Sequence, residues 1–368
     1  MRLKAGSPSK LDQRLARVAA GSQSSALDDF IGNRIPFQLG GMSDPFTKIE
    51  NDEGITLQYL EILQKHHYPV VLSTKSSLVA EERYLSVLKE SNAYVRFSTT
   101  VVEPSKRNLI DKGCSTMSEI LVASERLAKN GIPVCFRFQP IIPGHERHAR
   151  QLVENARDSG VKHISAEYLK LPLEADRNFG KDLREMLHNR PIQTYLDMNA
   201  VKVGAEYSLP LSYRADHLIE LAVSSKKNGL TFGFADNDLL VHSDGNTCCS
   251  ASDLYLEEAG FFNANVVSLA KSKEIGGLLE FSEFQACFLP KHRISTYLNS
   301  KSRIPLSNIE GGDWMEYLEK IWAGRHGPYP PIYFDGVEDS GKKDVLDRII
   351  YQRTESDFEA VYKNALAS

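Results

Sequence analysis

The sequence predicts an α/β protein built on a partial (β/α)6 TIM-like barrel that lacks its first strand. Short β-rich runs alternate with helix-like stretches about every 25–40 residues, a spacing typical of parallel βαβ units. Several of these runs end in glycine or polar residues. A β/α barrel presents its active site at the carboxyl ends of its strands, so these residues are the first candidates for function.

Three segments are expected along the chain. Residues 1–33 form a polar N-terminal segment in which Leu15 and Val18 lie at helical spacing, and this spacing predicts a helix. Residues 34–170 hold the partial barrel. Residues 171–368 form a mixed, mainly helical C-terminal extension of unknown role.

Five strand–helix units are predicted within the barrel segment. Their strands are expected at Ile35–Leu39, Pro69–Ser73, Tyr94–Ser98, Pro133–Phe138 and Val161–Tyr168. The helices between them are expected at Thr56–Lys65, Glu81–Ser91, Thr116–Asn130 and Glu146–Ser159. Five strands do not close a barrel, and one more unit before Arg34 would give a six-stranded, partly open one. In the extension, Leu230–Ala235 can form a further strand and Ser340–Ser368 is expected to be helical.

Composition and charge limit the partners and the cellular location that we expect for the protein. The chain has 368 residues and a net charge of -4, which gives no bulk attraction to nucleic acid or to anionic membranes. No run of about 18 apolar residues occurs, so we expect no membrane partner. The N-terminus lacks the apolar core of a secretory signal, and the five cysteines have no disulfide-like spacing. These features predict a cytoplasmic protein.

The first three strand ends carry groups suited to a small polar ligand. Gly40 and Gly41 allow close approach of a ligand to the backbone, and Ser43 follows them. Lys75 is expected to direct its ammonium toward the barrel mouth, where it can pair with a carboxylate. Ser98 adds a hydroxyl. The alternatives are a glycine turn, a solvated lysine and a run of ordinary β-formers.

The fourth strand carries a charge inside an apolar run, Val134-Cys-Phe-Arg-Phe. Strand alternation places Arg137 on one face with Cys135 and Gln139. A guanidinium inside a barrel requires an anion, which can be a ligand carboxylate or Glu167. The following turn, Gln139-Pro-Ile-Ile-Pro-Gly, contains Ile142 as part of an apolar shelf for a flat base.

Taken in order, these segments resemble a radical S-adenosylmethionine protein of the spore photoproduct lyase-like group. The resemblance covers about residues 30–170, and its order and spacing are more specific than any single motif. It implies that S-adenosylmethionine is the cofactor. It also implies contacts to this cofactor from the residues matching the family motifs, together with Arg137, namely Gly40, Gly41, Ser43, Lys75, Ser98, Arg137, Ile142 and Gly144.

The resemblance is incomplete at the cluster. The family has a C-x3-C-x2-C loop after its first strand, whose thiolates hold a [4Fe–4S] cluster. Here no cysteine precedes Cys114, and no set of cysteines has that spacing. Either the reading frame extends upstream of Met1, which we expect, or the chain has lost the cluster. The chain alone is then expected to be inactive, with no metal ligands of its own.

A full-length enzyme of this type would cleave S-adenosylmethionine reductively and start radical chemistry on an unknown substrate, with ferredoxin or flavodoxin as reductant. The best-known member of the group acts on DNA, but no feature of this sequence independently supports a nucleic-acid substrate. Cys248 and Cys249 are weak catalytic candidates, as hydrogen-atom donors or auxiliary cluster ligands, and the alternative is two ordinary loop thiols. The alternative function is a cluster-free barrel that binds a nucleoside-like ligand.

Overall fold

The structure is a computed structural model that describes residues 7–41, 43–247, 251–261, 265–290, 314–327 and 329–368. The first half of the chain contains, in order, α1 (Pro8–Ala19), α2 (Ala26–Gly32), β1 (Phe37–Leu39), α3 (Lys48–Glu53), α4 (Ile55–Lys65), β2 (Val70–Thr74), α5 (Glu82–Leu88), β3 (Ala93–Val101), α6 (Pro104–Ile110), α7 (Met117–Lys129), β4 (Val134–Ile141), α8 (Ala149–Asp158) and β5 (His163–Tyr168). Strands and helices thus alternate as the sequence predicts.

The remaining chain continues with β6 (Leu171–Pro172), α9 (Ala175–Asn178), α10 (Lys181–Met186), α11 (Pro191–Asp197), β7 (Val201–Val203), β8 (Glu206–Ser208), α12 (Leu211–Lys227) and β9 (Thr231–Phe234). It closes with α13 (Val266–Lys271), β10 (Leu278–Leu279), α14 (Phe281–Cys287), α15 (Trp314–Trp322), β11 (Val337–Lys343), β12 (Ile349–Arg353) and α16 (Asp357–Ala367). Among the helices described, none is long and apolar enough to cross a membrane.

A six-stranded, wholly parallel sheet organises the fold, in the order β1-β2-β3-β4-β5-β9. This sheet and its connecting helices confirm the α/β class. The sixth strand is β9, which lies inside the segment 171–368, and no strand occurs in the described residues before β1. The expected unit before Arg34 is therefore not the source of the sixth strand. In the described chain, β1 and β9 are the two edges of the sheet.

Local sequence signals account for helix boundaries such as those of α7. The Thr116 hydroxyl accepts a hydrogen bond from the Glu119 amide at 3.3 Å, and the Glu119 carboxylate accepts one from the Thr116 amide at 2.7 Å. This reciprocal cap satisfies amides that the first helical turn leaves unpaired. At the other end Gly131 has φ +77°, the left-handed conformation that glycine adopts most easily after a helix.

The two faces of the sheet differ in character. The outer face packs on the helices and is apolar, with Leu72, Phe97, Phe136, Ile164 and Phe234 all fully buried. Alternation directs the intervening residues to the inner face. These residues are mostly polar, and they include Ser73, Arg96, Arg137, His163, Ser165 and Glu167.

The extension covers part of this inner face. Tyr255 stacks on Tyr94 with ring centroids 5.6 Å apart, and Leu256 belongs to one buried cluster with Val71, Tyr94 and Cys135. The extension also forms two small antiparallel sheets, β6-β8-β7 and β10-β12-β11. The described part of the extension is therefore mixed, and its helices cover more residues than its strands, as predicted.

The C-terminal stretch Ser340–Ser368, expected to be helical, instead contains the end of β11, then β12, and only then α16. A turn between the strands explains the difference. The Asp344 carboxylate accepts hydrogen bonds from the amides of Leu346 at 2.9 Å and Arg348 at 3.0 Å. An aspartate that binds its own downstream amides stabilises a turn in competition with a helix.

Candidate functional site

The loop after β1 lies against the end of β2, and Gly40 makes this contact possible. Gly40 has φ +90°, and a Cβ atom there would lie 2.0 Å from the carbonyl oxygen of Ser73. Gly41 is exposed, and a Cβ atom there would meet only the Gln38 side chain, at 3.6 Å. Internal packing therefore requires glycine at position 40, while Gly41 leaves exposed backbone at the rim of the sheet.

Asp44 holds the same loop to β2. Its carboxylate accepts hydrogen bonds from the Thr74 hydroxyl at 2.8 Å, the Lys75 amide at 2.7 Å and the Phe46 amide at 2.9 Å. Ser43 is exposed beside it. These three hydrogen bonds fix the loop to the end of β2. Asp44 therefore has a structural role and positions the predicted ligand-binding loop.

Lys75 binds a carboxylate of its own chain. Its ammonium contacts Asp111, which is 7% exposed, and the Thr100 hydroxyl donates to the same carboxylate at 3.1 Å. The Arg107 guanidinium lies 3.6 Å from Asp111, and its three buried nitrogens make no hydrogen bond to any described residue. Burial lowers the pKa of Arg107, while Asp111 opposes this shift. Two cations therefore share one carboxylate at the rim.

Arg137 belongs to a second charged cluster at the ends of β4 and β5. Glu167 accepts hydrogen bonds from Arg137 Nη2 at 3.0 Å, Gln139 Nε2 at 2.8 Å and Lys170 Nζ at 2.5 Å. Burial disfavours the charged form of Lys170, but attraction to Glu167 outweighs it and raises its pKa. Ser98, which is half-buried, is the register partner of Arg137 on β3. The sheet thus brings two predicted cofactor contacts together.

The turn after β4 is only partly accessible. Phe138 pairs with Ala166, which places Gln139 next to Glu167, and the β4–β5 ladder then changes register before Ile141. Ile142 is fully buried, and its amide donates to the Val101 carbonyl at 3.0 Å. Gly144 is exposed with φ +82°. The predicted apolar shelf is therefore part of the protein interior, while Gly144 forms the outer turn.

A third charged group joins Arg214 on α12 with two aspartates that follow β9. The Arg214 guanidinium nitrogens lie 3.1 Å from a carboxylate oxygen of Asp236 and 2.5 Å from one of Asp238. Burial raises the pKa of Asp236 to about 6, although Arg214 opposes the shift. Asp236 is therefore a carboxyl group that changes charge within a moderately acidic range.

His163 lies on the inner face at the level of Thr231. One ring nitrogen is 2.8 Å from the Thr231 hydroxyl, and burial lowers the pKa of His163 to about 3. A Cβ atom at Gly233 would lie 3.0 Å from the other ring nitrogen. The imidazole is therefore neutral and closely packed at ordinary pH.

Between the inner face and the extension lies a cavity of about 760 Å³. The sheet contributes Gln38, Val71, Arg96 and Arg137 to its wall, and the extension contributes residues that include Asn237, Asn246, Lys271 and Tyr329. Of the predicted cofactor contacts, Arg137 is among the described lining residues. The lining does not include Gly40, Gly41, Ser43, Lys75, Ser98, Ile142 or Gly144.

Arg96 is a site residue that the sequence interpretation missed. Its side chain is buried, and its Nε and Nη2 atoms donate to the Ser73 hydroxyl at 3.1 Å and 2.8 Å. The signal was available, because Tyr94-Val-Arg-Phe-Ser has the same arginine within an apolar run that identified Arg137. Lys170, Arg214 and Asp236 were also missed, although Lys170 and Asp236 come two residues after the ends of β5 and β9, a position that could have identified them.

The described cysteines do not fit a [4Fe–4S] cluster. Cys114 is half-buried, Cys135 is buried on β4 and Cys287 is exposed at the end of α14. The described part of the chain contains no group of three or more His, Cys, Asp or Glu side chains that could hold a metal ion. Cys248 and Cys249 lie outside the described residues, so their predicted roles are not addressed by the structure.

Comparisons with known proteins give only distant likenesses. No protein-family model matches the chain. No curated protein matches it either. Among solved structures it is similar to a spore photoproduct lyase double mutant with bound AdoMet and dinucleoside spore photoproduct, with 19% identity and a TM-score of 0.37 over 54% of this chain and 60% of that one. A single mutant of that lyase gives 17% identity and a TM-score of 0.42 over 61% and 66%.

SuiB from Streptococcus suis, bound to S-adenosylmethionine, is similar at 11% identity and a TM-score of 0.34, over 54% of this chain and 43% of that one. The chain therefore spans about three fifths to two thirds of the length of the lyase structures.

Proposed function

We propose that this chain is a radical S-adenosylmethionine-type protein that binds S-adenosylmethionine at the carboxyl edge of its parallel sheet. One observation carries the proposal. Strands β1 to β4 are neighbours in sequence order, so Gly40-Gly41, Lys75 and Gly144, which follow β1, β2 and β4, lie toward one edge of the sheet, and Ser98 lies in the carboxyl half of β3. Ligands of open parallel sheets bind at this edge.

The residues at this edge have donor chemistry that fits a zwitterionic cofactor. Exposed backbone at Gly41 offers carbonyl and amide groups, and Ser98 with Arg137 offers a hydroxyl beside a guanidinium. Lys75 already pairs with Asp111, so a ligand carboxylate would have to bind Lys75 together with Asp111 or displace it. S-adenosylmethionine supplies a sulfonium whose reductive cleavage starts radical chemistry on a substrate. The cluster and its donor, ferredoxin or flavodoxin, would act through ligands outside the described residues.

A second candidate is a barrel that binds a nucleoside-like ligand without a cluster. The observation that favours it is the internal pairing of Lys75 with Asp111 and of Arg137 with Glu167. Both cations are already neutralised by the protein. Such a protein would bind S-adenosylmethionine or a related nucleoside without cleaving it.

Calorimetric titration with S-adenosylmethionine tests the binding site. Ser98→Ala should weaken binding by about tenfold, since it removes one hydrogen bond to a charged or polar ligand group. Ser86→Ala, on the exposed side of α5, is the matched control and should bind as the wild type does. The absence of saturable binding, or equal affinities for the two variants, would contradict the proposed site.

Anaerobic reconstitution with iron and sulfide tests whether this chain assembles a cluster with its own cysteines. If the cluster ligands lie outside this chain, the chain should retain less than about one iron per molecule. A cysteine-dependent cluster spectrum with about four irons per chain would show that its own cysteines assemble the cluster.

A further inference from the structure

The cavity between the inner face and the extension has the volume of a small-molecule site. It measures about 760 Å³, and pockets for small ligands have volumes of roughly 300–1,000 Å³. Gln38 belongs to its wall, and a Cβ atom at Gly41 would lie 3.6 Å from the side-chain amide nitrogen of Gln38. A ligand in the cavity would therefore lie beside the loop that the proposed cofactor site uses.

The charged side chains of the wall already have partners within the protein. Arg137 donates to Glu167 at 3.0 Å, and Arg96 donates to a serine hydroxyl of β2 at 2.8 Å and 3.1 Å. The Lys271 ammonium donates to the backbone carbonyl of Ser243 at 2.6 Å. The described lining contains no aspartate or glutamate, so a cationic ligand would find no counter-ion there. The neutral lining groups therefore decide which ligand fits.

Four neutral side chains of the wall are available to a ligand. They are the amides of Gln38 and Asn237 and the hydroxyls of Ser268 and Tyr329, and none of the four makes a hydrogen bond to any residue that the structure describes. Other polar side chains of the wall are used internally, such as the Ser243 hydroxyl, which donates to a backbone carbonyl of β9 at 3.0 Å. The unused hydrogen-bonding groups in the described lining are thus all uncharged.

These groups match an amide better than an ion. A carboxamide side chain presents an acceptor and a donor in one plane, and a hydroxyl can do both. A ligand amide offers a donor and an acceptor in return, whereas a carboxylate offers acceptors alone and an ammonium offers donors alone. A polar atom that loses water in a partly buried cavity without gaining a partner weakens binding, and only the neutral ligand pairs both kinds of atom.

The rest of the lining indicates an apolar body on the same ligand. Leu240, Phe261, Val267 and Phe334 line the cavity together with the neutral polar groups. Aromatic and aliphatic side chains of this kind bury a ring or a hydrocarbon portion, while a few polar groups fix its orientation.

We infer that this cavity binds an uncharged organic ligand that carries an amide group on an apolar body. Binding of this ligand does not depend on the cofactor. Its further assignment as the substrate rests on the proposed function, because it follows from the position of the cavity beside the loop at Gly41.

Calorimetry with naphthamide, naphthoate and naphthylmethylammonium tests the class of ligand. The three probes share an apolar body and differ in the charge of the head group. Naphthamide should bind about tenfold or more tightly than either ion, and its affinity should change by less than about twofold as salt is added. Equal or tighter binding of one of the ions, or no saturable binding of naphthamide, would overturn the inference.

Two variants locate the ligand. Gln38→Ala should weaken naphthamide binding roughly three- to tenfold, because one neutral hydrogen bond is lost. Gln58→Ala is the matched control, since Gln58 is exposed on α4 and is not among the described lining residues. Asn237→Ala should have an effect of similar size, and it provides the same test if Gln38→Ala does not fold. Unchanged affinity in both folded variants would place the ligand elsewhere and refute the assignment.

Titration of naphthamide in saturating S-adenosylmethionine tests the role as substrate. The two ligands should bind together, because Gly41 and Ser98 of the proposed cofactor site do not belong to the described lining of the cavity. Displacement of naphthamide would place the cofactor in the cavity and overturn the substrate assignment. If S-adenosylmethionine does not bind, the proposed function and the substrate assignment fail together, while binding of the amide is still decided by the three probes.

Discussion

The outer and inner faces of the six-stranded sheet use the same strands for different purposes. On β4 the outer face presents Phe136 and Phe138, both fully buried against helices, while the inner face presents Cys135, Arg137 and Gln139. The outer face gains stability from apolar area and close packing. The inner face satisfies its charges by specific partners, which orient polar groups toward a cavity.

The first way to test this comparison is to remove volume from the outer face. Phe136→Ala should lower the free energy of unfolding by about 4 kcal/mol, because it leaves a cavity in a core that cannot fully collapse. Urea denaturation measures the change. Val122→Ala, at a side chain that is 63% exposed on α7, should change it by less than about 0.5 kcal/mol. Similar values for the two variants would contradict the assigned core.

The second test removes the shared anion of the inner face. Glu167→Gln should destabilise the protein by about 3 kcal/mol, since Arg137 and Lys170 would then lack a negative partner. Adding Lys170→Met should recover part of this loss in a double-mutant cycle. Glu174→Gln, at an exposed position, is the control. Additive effects of the Glu167 and Lys170 changes would show that the two side chains are not coupled.

The third test uses acid and His163. Burial lowers the pKa of His163 to about 3, so the native state binds fewer protons than the unfolded chain below the ordinary histidine pKa. Its stabilising contribution is present above about pH 6.5 and is lost as pH falls toward 3. Relative to His163→Gln, the wild type should lose about 2–3 kcal/mol between about pH 7 and pH 4.5. Parallel pH–stability curves for the two proteins would exclude a buried neutral imidazole.

The fourth test concerns Asp236, whose contribution to stability changes with pH in the opposite direction to that of His163. Burial raises the pKa of Asp236 to about 6, so the native state retains a proton that the unfolded chain releases. Its contribution is present below about pH 4 and is lost as pH rises through 6. Asp236→Asn should remove about 2 kcal/mol of this pH dependence, measured by urea unfolding across the same range. Asp216→Asn, at an exposed position on α12, is the control and should leave the pH dependence of stability unchanged.

Much of the fold could be predicted from the sequence because strands and helices have different periodicities. The five predicted strands all occur, and the helix predicted at Thr116–Asn130 is observed as α7, Met117–Lys129. The Leu230–Ala235 run became the sixth strand of the main sheet. Its place in the sheet could not be predicted, because the elements from β6 to α12 separate β5 from β9 in sequence. Pairing between strands so far apart in sequence depends on tertiary contacts.

The candidate site was predicted less completely. Arg137 was correctly placed on the inner face beside Cys135 and Gln139, and Glu167 proved to be its anion. The sequence could not show that Asp111 neutralises Lys75, because Asp111 follows a different strand. Nor could it show that the extension forms one wall of the cavity, since its irregular segments have no period that predicts where they pack.

What the sequence determined by itself is local: the alternation that divides each strand into an apolar and a polar face, and the glycine that lets the loop at residue 40 approach β2. Only the tertiary structure decided which charges meet. Arg137, Lys170 and Glu167 form one cluster and Lys75, Arg107 and Asp111 another, because parallel packing brings successive strand ends to one edge. Electrostatic pairing depends on distance in space, and the sequence reports only distance along the chain.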